Sequence, residues 1–345
     1  MGKNYCPLAI DLFCGAGGLT LGLKQAGFNV VGAIDIDEAA CESYSLNHPE
    51  VNLWQTDIKD LTATEVLEKL KIKPGELDLL AGCPPCQGFS SIRTLNGGPA
   101  EDERNDLVFE FLRLVKELRP KSIMMENVPG LAKDKRIDTF REELKELGYE
   151  SDLDVINASD YGVPQRRRRM ILLGALDGPI KITPPKENRR TTVREAIRGL
   201  PKPGSSGDFL HDYPENREEK TIKMISLIPK NGGSRSDLPD EYILECHKRN
   251  PGGFKDVYGR MKWDDVAPTI TGGCSNPSKG RFLHPEQNRT ITLREAALLQ
   301  TFPKDYKFSS KGGKQKIALQ IGNALPPLLI AEHAKDLKNQ LFPSI

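Results

Sequence analysis

The sequence predicts an α/β fold in which a mostly parallel sheet, with crossover helices on both faces, is joined to a smaller unit of irregular structure. Three observations predict it. Short β-rich runs alternate with helical patterns through the first half of the chain. A glycine-rich turn follows the first of these runs and opens the first helix. From about residue 184 the alternation gives way to Gly, Pro, Ser and turn pairs such as ProGly and AsnGlyGly. At 345 residues the chain exceeds what one compact core usually holds, which fits two units.

Taken in order, strands are expected at Leu8–Phe13, Asn29–Asp35, Leu77–Gly82, Ser122–Glu126, Asp152–Ile156 and Met170–Ala175. Helices fill the gaps near Leu19–Ala26, Glu38–Asn47, Thr64–Leu70, Asp106–Leu118 and Ile137–Leu147, the last stopped by Gly148 as a left-handed cap. Thr62 with Glu65, and Thr292 with Glu295, have capping-box spacing and mark two helix starts. Helical patterning returns at Leu293–Gln300 and Pro326–Leu341, long enough to rejoin the first unit. The expected organisation is a catalytic sheet domain over 1–183, a separate domain over 184–284 and a return segment over 285–345 that completes the first.

Composition narrows the function classes. Hydrophobic residues make up 38% and charged residues 28% of the chain, and no apolar run approaches the ~20 residues of a membrane span. The run Leu8–Phe13 lacks a basic leader and a cleavage site, so a cytoplasmic protein is expected. Seven cysteines at irregular spacing fit reduced thiols better than a disulfide framework. Forty-nine Lys and Arg against forty-eight Asp and Glu give +1, so any polyanion must be met by a local patch.

Asp11 to Gly18, DLFCGAGG, lets the backbone turn tightly and present N–H groups to an anion, and Asp35 ends the second strand, where a carboxylate can bind a ribose diol. A dinucleotide fingerprint would need glycine at position 20, which is Thr20. On this loop alone an AdoMet-like cofactor leads, then a dinucleotide, then a purely structural turn. Gly82 to Ser90, GCPPCQGFS, begins where a strand ends, at the carboxyl edge where open α/β sheets bind ligands. Pro84 and Pro85 restrict the backbone before Cys86. A redox pair or half a zinc site is the alternative for Cys83 and Cys86, but no second CxxC or spaced His pair completes a metal shell. Glu126 closes the apolar run MMENV at the same edge, where partial desolvation is expected to raise its pKa and let it donate to a ring nitrogen. In Gln165–Arg169, alternation turns Arg167 and Arg169 to one face and Arg166 and Arg168 to the other; one pair facing a site is favoured over a solvated charge run.

In this order the blocks resemble the cytosine-5 DNA methyltransferase family. They are DLFCGAGG, Asp35–Asp37, Thr56–Ile58, Pro85–Gln87, Glu126–Val128, Gln165–Arg169, Arg294–Pro303 and Gln320–Pro327. The resemblance covers most of the chain and leaves out the variable segment, where the family carries its target-recognition region. It implies a Rossmann-like AdoMet-dependent sheet with a smaller target-recognition domain, and a methyl transfer to carbon 5 of a flipped cytosine in a specific duplex sequence through a covalent Cys86 adduct. Glu126, Arg167 and Arg169 would complete the catalytic set. AdoMet, leaving as S-adenosyl-L-homocysteine, would be held by Phe13, Gly15, Gly17, Gly18, Asp35, Ile36, Asp57, Ile58, Leu107 and Asn323, with no metal. The family often has Glu where Asp35 stands, and Asp shortens that reach. Gln87, Ser90, Arg260, Thr269, Thr271 and Gly272 are expected to meet DNA, while Trp263 is as well explained by a small core. Ser90 to Asp106, with its Asn96–Pro99 tip, has the composition of a lid over the extruded base.

The resemblance also implies double-stranded DNA as substrate, a cognate restriction endonuclease on the same site, a monomer without membrane association, and nucleoid localisation through DNA. With no long arm before Asp11, the compact prokaryotic type is expected. The competing readings are a tRNA cytosine-5 methyltransferase and, from another class, a nicotinamide-dependent oxidoreductase.

Overall fold

The computed structural model describes residues 5–85, 107–185, 190–245, 248 and 256–342. Seven strands form one sheet: β1 (Leu8–Leu12), β2 (Asn29–Asp35), β3 (Asn52–Gln55), β4 (Leu79–Gly82), β5 (Ser122–Asn127), β6 (Glu150–Asn157) and β7 (Arg168–Ala175). Their order is β3-β2-β1-β4-β5-β7-β6. The first five pair in parallel, and β7 runs antiparallel to both β5 and β6. That reversal places the first residues of β7 beside the carboxyl end of β5, since Asn127 pairs with Met170. Two strands were not expected as found. β3, an edge strand with no fully buried residue, carries no alternation to betray it, and the sense of β7 is invisible to a periodicity.

The helices of this half are α1 (Gly18–Gln25), α2 (Glu38–Asn47), α3 (Ala63–Leu70), α4 (Leu107–Leu118) and α5 (Lys135–Glu146). Gly148, with φ 88°, ends α5 in the left-handed region. Thr62 caps α3 by accepting from Glu65 N, but the Glu65 carboxylate accepts from Trp54 Nε1, so only half of the expected box forms. Ile10, Leu12, Leu80, Phe111, Val115, Ile123, Phe140 and Leu172 belong to one buried cluster between sheet and helices.

The chain divides into two units. The first comprises Met1–Tyr161, Arg168–Asn188 and Leu325–Ile345, the second Gly162–Arg167 and Arg189–Ala324. This corrects the expected boundaries: residues 285–324 fold with the second unit, and the return begins at Leu325. The reason lies in side chains that tie α9 (Leu293–Leu299) to α7 (Phe209–Asp212) and the residues around it. Thr292 Oγ1 bonds His211 Nδ1 at 2.9 Å, and Arg294 pairs with Asp208. Thr292 and Glu295 form the complete capping box expected of them, as do Thr192 and Glu195 at α6 (Val193–Ile197). Only α11 (Pro327–Leu341) returns, packing on α1 where Gly22 leaves room: a Cβ there would lie 2.6 Å from the Cβ of Ile330 and from the Pro327 carbonyl. In the second unit Met224, Ile225, Ile228, Leu238 and Leu283 make a small core that includes residues of α8 (Glu219–Leu227).

Candidate active site

The carboxyl edge of β1, β2, β4 and β5 gathers the expected cofactor residues of the first unit. After β1 the chain turns through Phe13, a non-glycine residue at φ 60°, then Gly15 at 54° and Gly17 at 93°. Asp35 fixes this loop from the end of β2: its Oδ2 accepts Gly15 N at 2.8 Å and its Oδ1 accepts Asp37 N at 2.8 Å. Burial pushes the Asp35 carboxyl up in pKa. Beside it the apolar Ile36 is 65% exposed. Asp57, after β3, accepts Lys59 N through Oδ1 at 3.0 Å. Ile58, expected among the cofactor contacts, instead sends its side chain into the core, and its carbonyl accepts from Arg113. Leu107 opens α4 half-buried, and Gly18 opens α1. Asn323 is the last residue of α10 (Gly313–Asn323), in the second unit.

Beneath the loop lies Thr20, at the position where a dinucleotide fingerprint would have glycine. Thr20 donates from its backbone N, at 3.0 Å, and from its hydroxyl, at 2.7 Å, to Asp11 Oδ2, and the same hydroxyl bonds Tyr44 Oη at 2.8 Å. Asp11 is fully buried, and burial pushes its pKa from 3.8 to about 7, with the two Thr20 hydrogen bonds opposing. The folded chain therefore holds a proton that the unfolded chain releases. This stabilises the fold below about pH 4 and is lost as pH rises through about 7. Asp11→Asn cannot ionise, so its urea midpoint is expected to gain on the parent's between pH 4 and pH 8; parallel curves would refute this.

Glu126 and Arg169 come together as expected. Glu126 is the penultimate residue of β5 and Arg169 the second of β7, and the antiparallel register sets them at the same edge, Arg169 Nε 2.7 Å from Glu126 Oε1. Both are mostly buried, so the pair sits in the reduced dielectric that strengthens a charge-assisted contact. Asn127, unassigned from sequence, donates Nδ2 to the Pro84 carbonyl at 2.8 Å and so ties β5 to the segment that leads to position 86. Cys86, Gln87, Ser90 and the proposed lid to Asp106 lie outside the described residues. Arg113 on α4 holds the Ile58 and Leu61 carbonyls at 2.9 and 3.0 Å, a bracing role with no sequence signal.

Two other arginines are spent internally. Arg167, expected at the catalytic set, donates to the carbonyls of Ile270 at 2.9 Å and of Gly322 and Ala324 at 3.1 Å, all within the second unit. Gln165 lies beside it, its Nε2 bonding Leu299 O and Gln300 Oε1 and its Oε1 accepting Ile270 N. Arg167 therefore braces the segment before β7 rather than reaching a substrate. Arg260, expected on DNA, is fully buried. It donates to the carbonyls of Ile225, Ile228, His284 and Gln287 and to Asn288 Oδ1, and burial pulls its guanidinium below its ordinary pKa. No face of it is left for a phosphate or a base. The Trp263 ring is buried edge-on to His284, which settles it as core. Thr269, Thr271 and Gly272 remain at or near the surface.

A family model for C-5 cytosine-specific DNA methylases matches residues 8–339. The chain belongs to that family. Among the methylase's relatives, the Type II methylase M.HgiDII of Herpetosiphon aurantiacus is 40% identical over 96% of this chain and 95% of its own. The Type II methyltransferase M1.HphI of Haemophilus parahaemolyticus is 36% identical over 93% and 83%. Among solved structures, an E. coli prophage protein described as a DNA modification methyltransferase superposes with a TM-score of 0.71, covering 97% of this chain and 99% of its own at 29% identity. The enzyme is thus a DNA (cytosine-5)-methyltransferase, with AdoMet use implied by the family. No helix of the described residues is long and apolar enough to cross a membrane.

The family assignment gives meaning to the charge distribution. The near-neutral total conceals a division: the second unit carries 26 Lys and Arg against 16 Asp and Glu, and the first 23 against 32. The second unit is therefore the net basic part of the chain and the first the net acidic part.

Proposed function

We propose that the enzyme methylates carbon 5 of a cytosine extruded from a specific duplex site, through a transient bond between Cys86 and carbon 6 of the ring. The observation that carries this reading is the Glu126–Arg169 pair at the carboxyl edge of β5, next to the strand that leads to Cys86. Carbon 5 of cytosine is a weak nucleophile. Addition of the Cys86 thiolate to carbon 6, with a proton supplied to ring nitrogen 3 from Glu126, turns the ring into an enamine-like nucleophile. Arg169 holds Glu126 in place and offers its remaining N–H groups to the ring oxygen. After carbon 5 gains the methyl group, a base removes its proton, the carbon–sulfur bond breaks and the thiolate is regenerated.

AdoMet, when bound, supplies an electrophilic methyl group on a sulfonium centre. The residues fit it: the glycine loop, the Asp35 and Asp57 carboxylates and the exposed Ile36 suit an adenosine carrying an amino-acid tail. Phe13, Gly15, Gly17, Gly18 and Leu107 complete the proposed set within the first unit. Duplex DNA meets the second unit through Thr269, Thr271 and Gly272, with Gln87 and Ser90 near the reacting base. The relatives' Type II names support a paired restriction endonuclease, and DNA binding supports residence on the nucleoid of the cytoplasm; the enzyme acts as a monomer.

The test is a duplex containing 5-fluorocytosine, in which elimination is blocked. With AdoMet the parent is expected to accumulate a covalent protein–DNA adduct at Cys86, and Cys86→Ala none. Methyl transfer retained by Cys86→Ala would overturn the mechanism, and label from AdoMet entering only tRNA would overturn the substrate. Bisulfite sequencing of DNA from a methylation-free host expressing the protein reads out the recognised sequence.

A further inference from the structure

We propose that Arg166 and Lys279 are a pair of backbone-phosphate contacts bracketing the Thr269–Gly273 segment, and that they set the register of the duplex on the second unit. The inference rests on the duplex-DNA reading above. The segment is held rigidly by missing side chains. A Cβ on Gly322 would lie 2.1 Å from Gly272 N and from the Thr271 carbonyl carbon, and one on Gly272 would lie 2.7 Å from Leu319 Cδ1. Beyond it the chain folds back through turns, Cys274 N to Thr271 O at 3.0 Å and Asn276 N to Gly273 O at 2.9 Å, with the Cys274 side chain buried as an anchor.

Lys279 then closes over Gly273. A Cβ at Gly273 would meet Lys279 Cβ at 2.8 Å and Cγ at 3.1 Å, so the lysine stem occupies the place of the absent side chain. At the other end Thr269 Oγ1 donates to the Arg166 carbonyl at 2.7 Å, and Arg166 N donates to Ala267 O at 2.8 Å, so the Arg166 backbone is pinned to the start of the segment. Arg166, Thr271 and Lys279 are exposed. Among the described residues neither cation has a carboxylate within ion-pairing distance, whereas Arg194, Arg217, Arg281, Arg289 and Arg294 of the same unit are all paired. A tightly packed loop with an exposed hydroxyl at its centre and a cation without a carboxylate partner at each end offers donors of the kind that hold backbone phosphates. Phosphates carry no sequence information, so the pair positions the duplex while other groups read it.

The test compares Arg166→Gln and Lys279→Gln with the parent, using the cognate duplex and an unrelated duplex of equal length across a salt series. Each variant is expected to lower the slope of log K against log salt by ~0.9. Each is expected to weaken both duplexes by the same factor and to raise KM for DNA while kcat changes less than twofold. Gly273→Ala, whose Cβ would press on Lys279 Cβ and Cγ, is expected to reproduce the Lys279→Gln slope while lowering the unfolding midpoint. Lys220→Gln, on exposed α8, serves as control and should keep the parent slope. Parent-like slopes in both bracketing variants, or a loss confined to the cognate duplex, would overturn the proposal while leaving the parent's methylation of DNA intact. A parent that methylates no DNA would instead remove the reading beneath it.

Discussion

Glu126→Gln is expected to lower kcat by about 10²- to 10³-fold, with KM for DNA within a few-fold of the parent. Glutamine keeps the shape and can still hydrogen-bond to Arg169, but it cannot deliver a proton to ring nitrogen 3. The step it impairs precedes methyl transfer, so formation of the Cys86 adduct on 5-fluorocytosine DNA should slow by the same factor. The two rates, measured by single-turnover methylation and by adduct trapping, must fall together. A loss below tenfold, or slow methylation with unimpaired adduct formation, would remove Glu126 from the proton-donor role. The pairing with Arg169 at 2.7 Å makes the geometry specific, because the guanidinium fixes the carboxyl at the strand edge.

Arg260→Lys is expected to cost about 2–4 kcal/mol of stability, although the charge is kept. Five acceptors, the carbonyls of Ile225, Ile228, His284 and Gln287 and the Asn288 amide oxygen, converge on the guanidinium. An ammonium has three donors and a tetrahedral geometry, so it leaves buried acceptors unserved. These acceptors come from stretches on either side of residue 260, so their release should loosen the second unit as a whole. The measurement is a urea titration of parent and variant, followed by far-UV circular dichroism and by the emission of buried Trp263. An unchanged midpoint with weaker DNA binding would restore Arg260 to the DNA surface. The contrast with Arg166 and Lys279 is direct, because there the expected loss is in salt slope and here it is in stability.

Much of the first unit was legible. Each strand of the sheet except β3 announced itself by composition and by the turn or cap that follows, and the glycine loop, Glu126 and Arg169 were placed from the ends of those strands. β3 escaped because an edge strand of four partly exposed residues has no hydrophobic alternation. The return of the chain was placed forty residues too early because α9 and α10 look like any amphipathic helices. What decided their unit was the partners they found: Asp208, His211, Gln165 and Arg167.

The arginines show the division most clearly. By itself the sequence determined the order of the blocks, every strand but β3 and the glycine turn after β1, because periodicity, glycine conformation and strand ends are local properties of the chain. Only the tertiary structure decided which guanidinium does what. Arg169 reaches Glu126 because β7 runs antiparallel to β5. Arg167 and Arg260 are consumed by backbone carbonyls of distant segments, and Arg166 is left outward. A carbonyl is present at every residue and carries no signature in the sequence, so which acceptors a buried arginine will meet is settled only once the chain has closed around it.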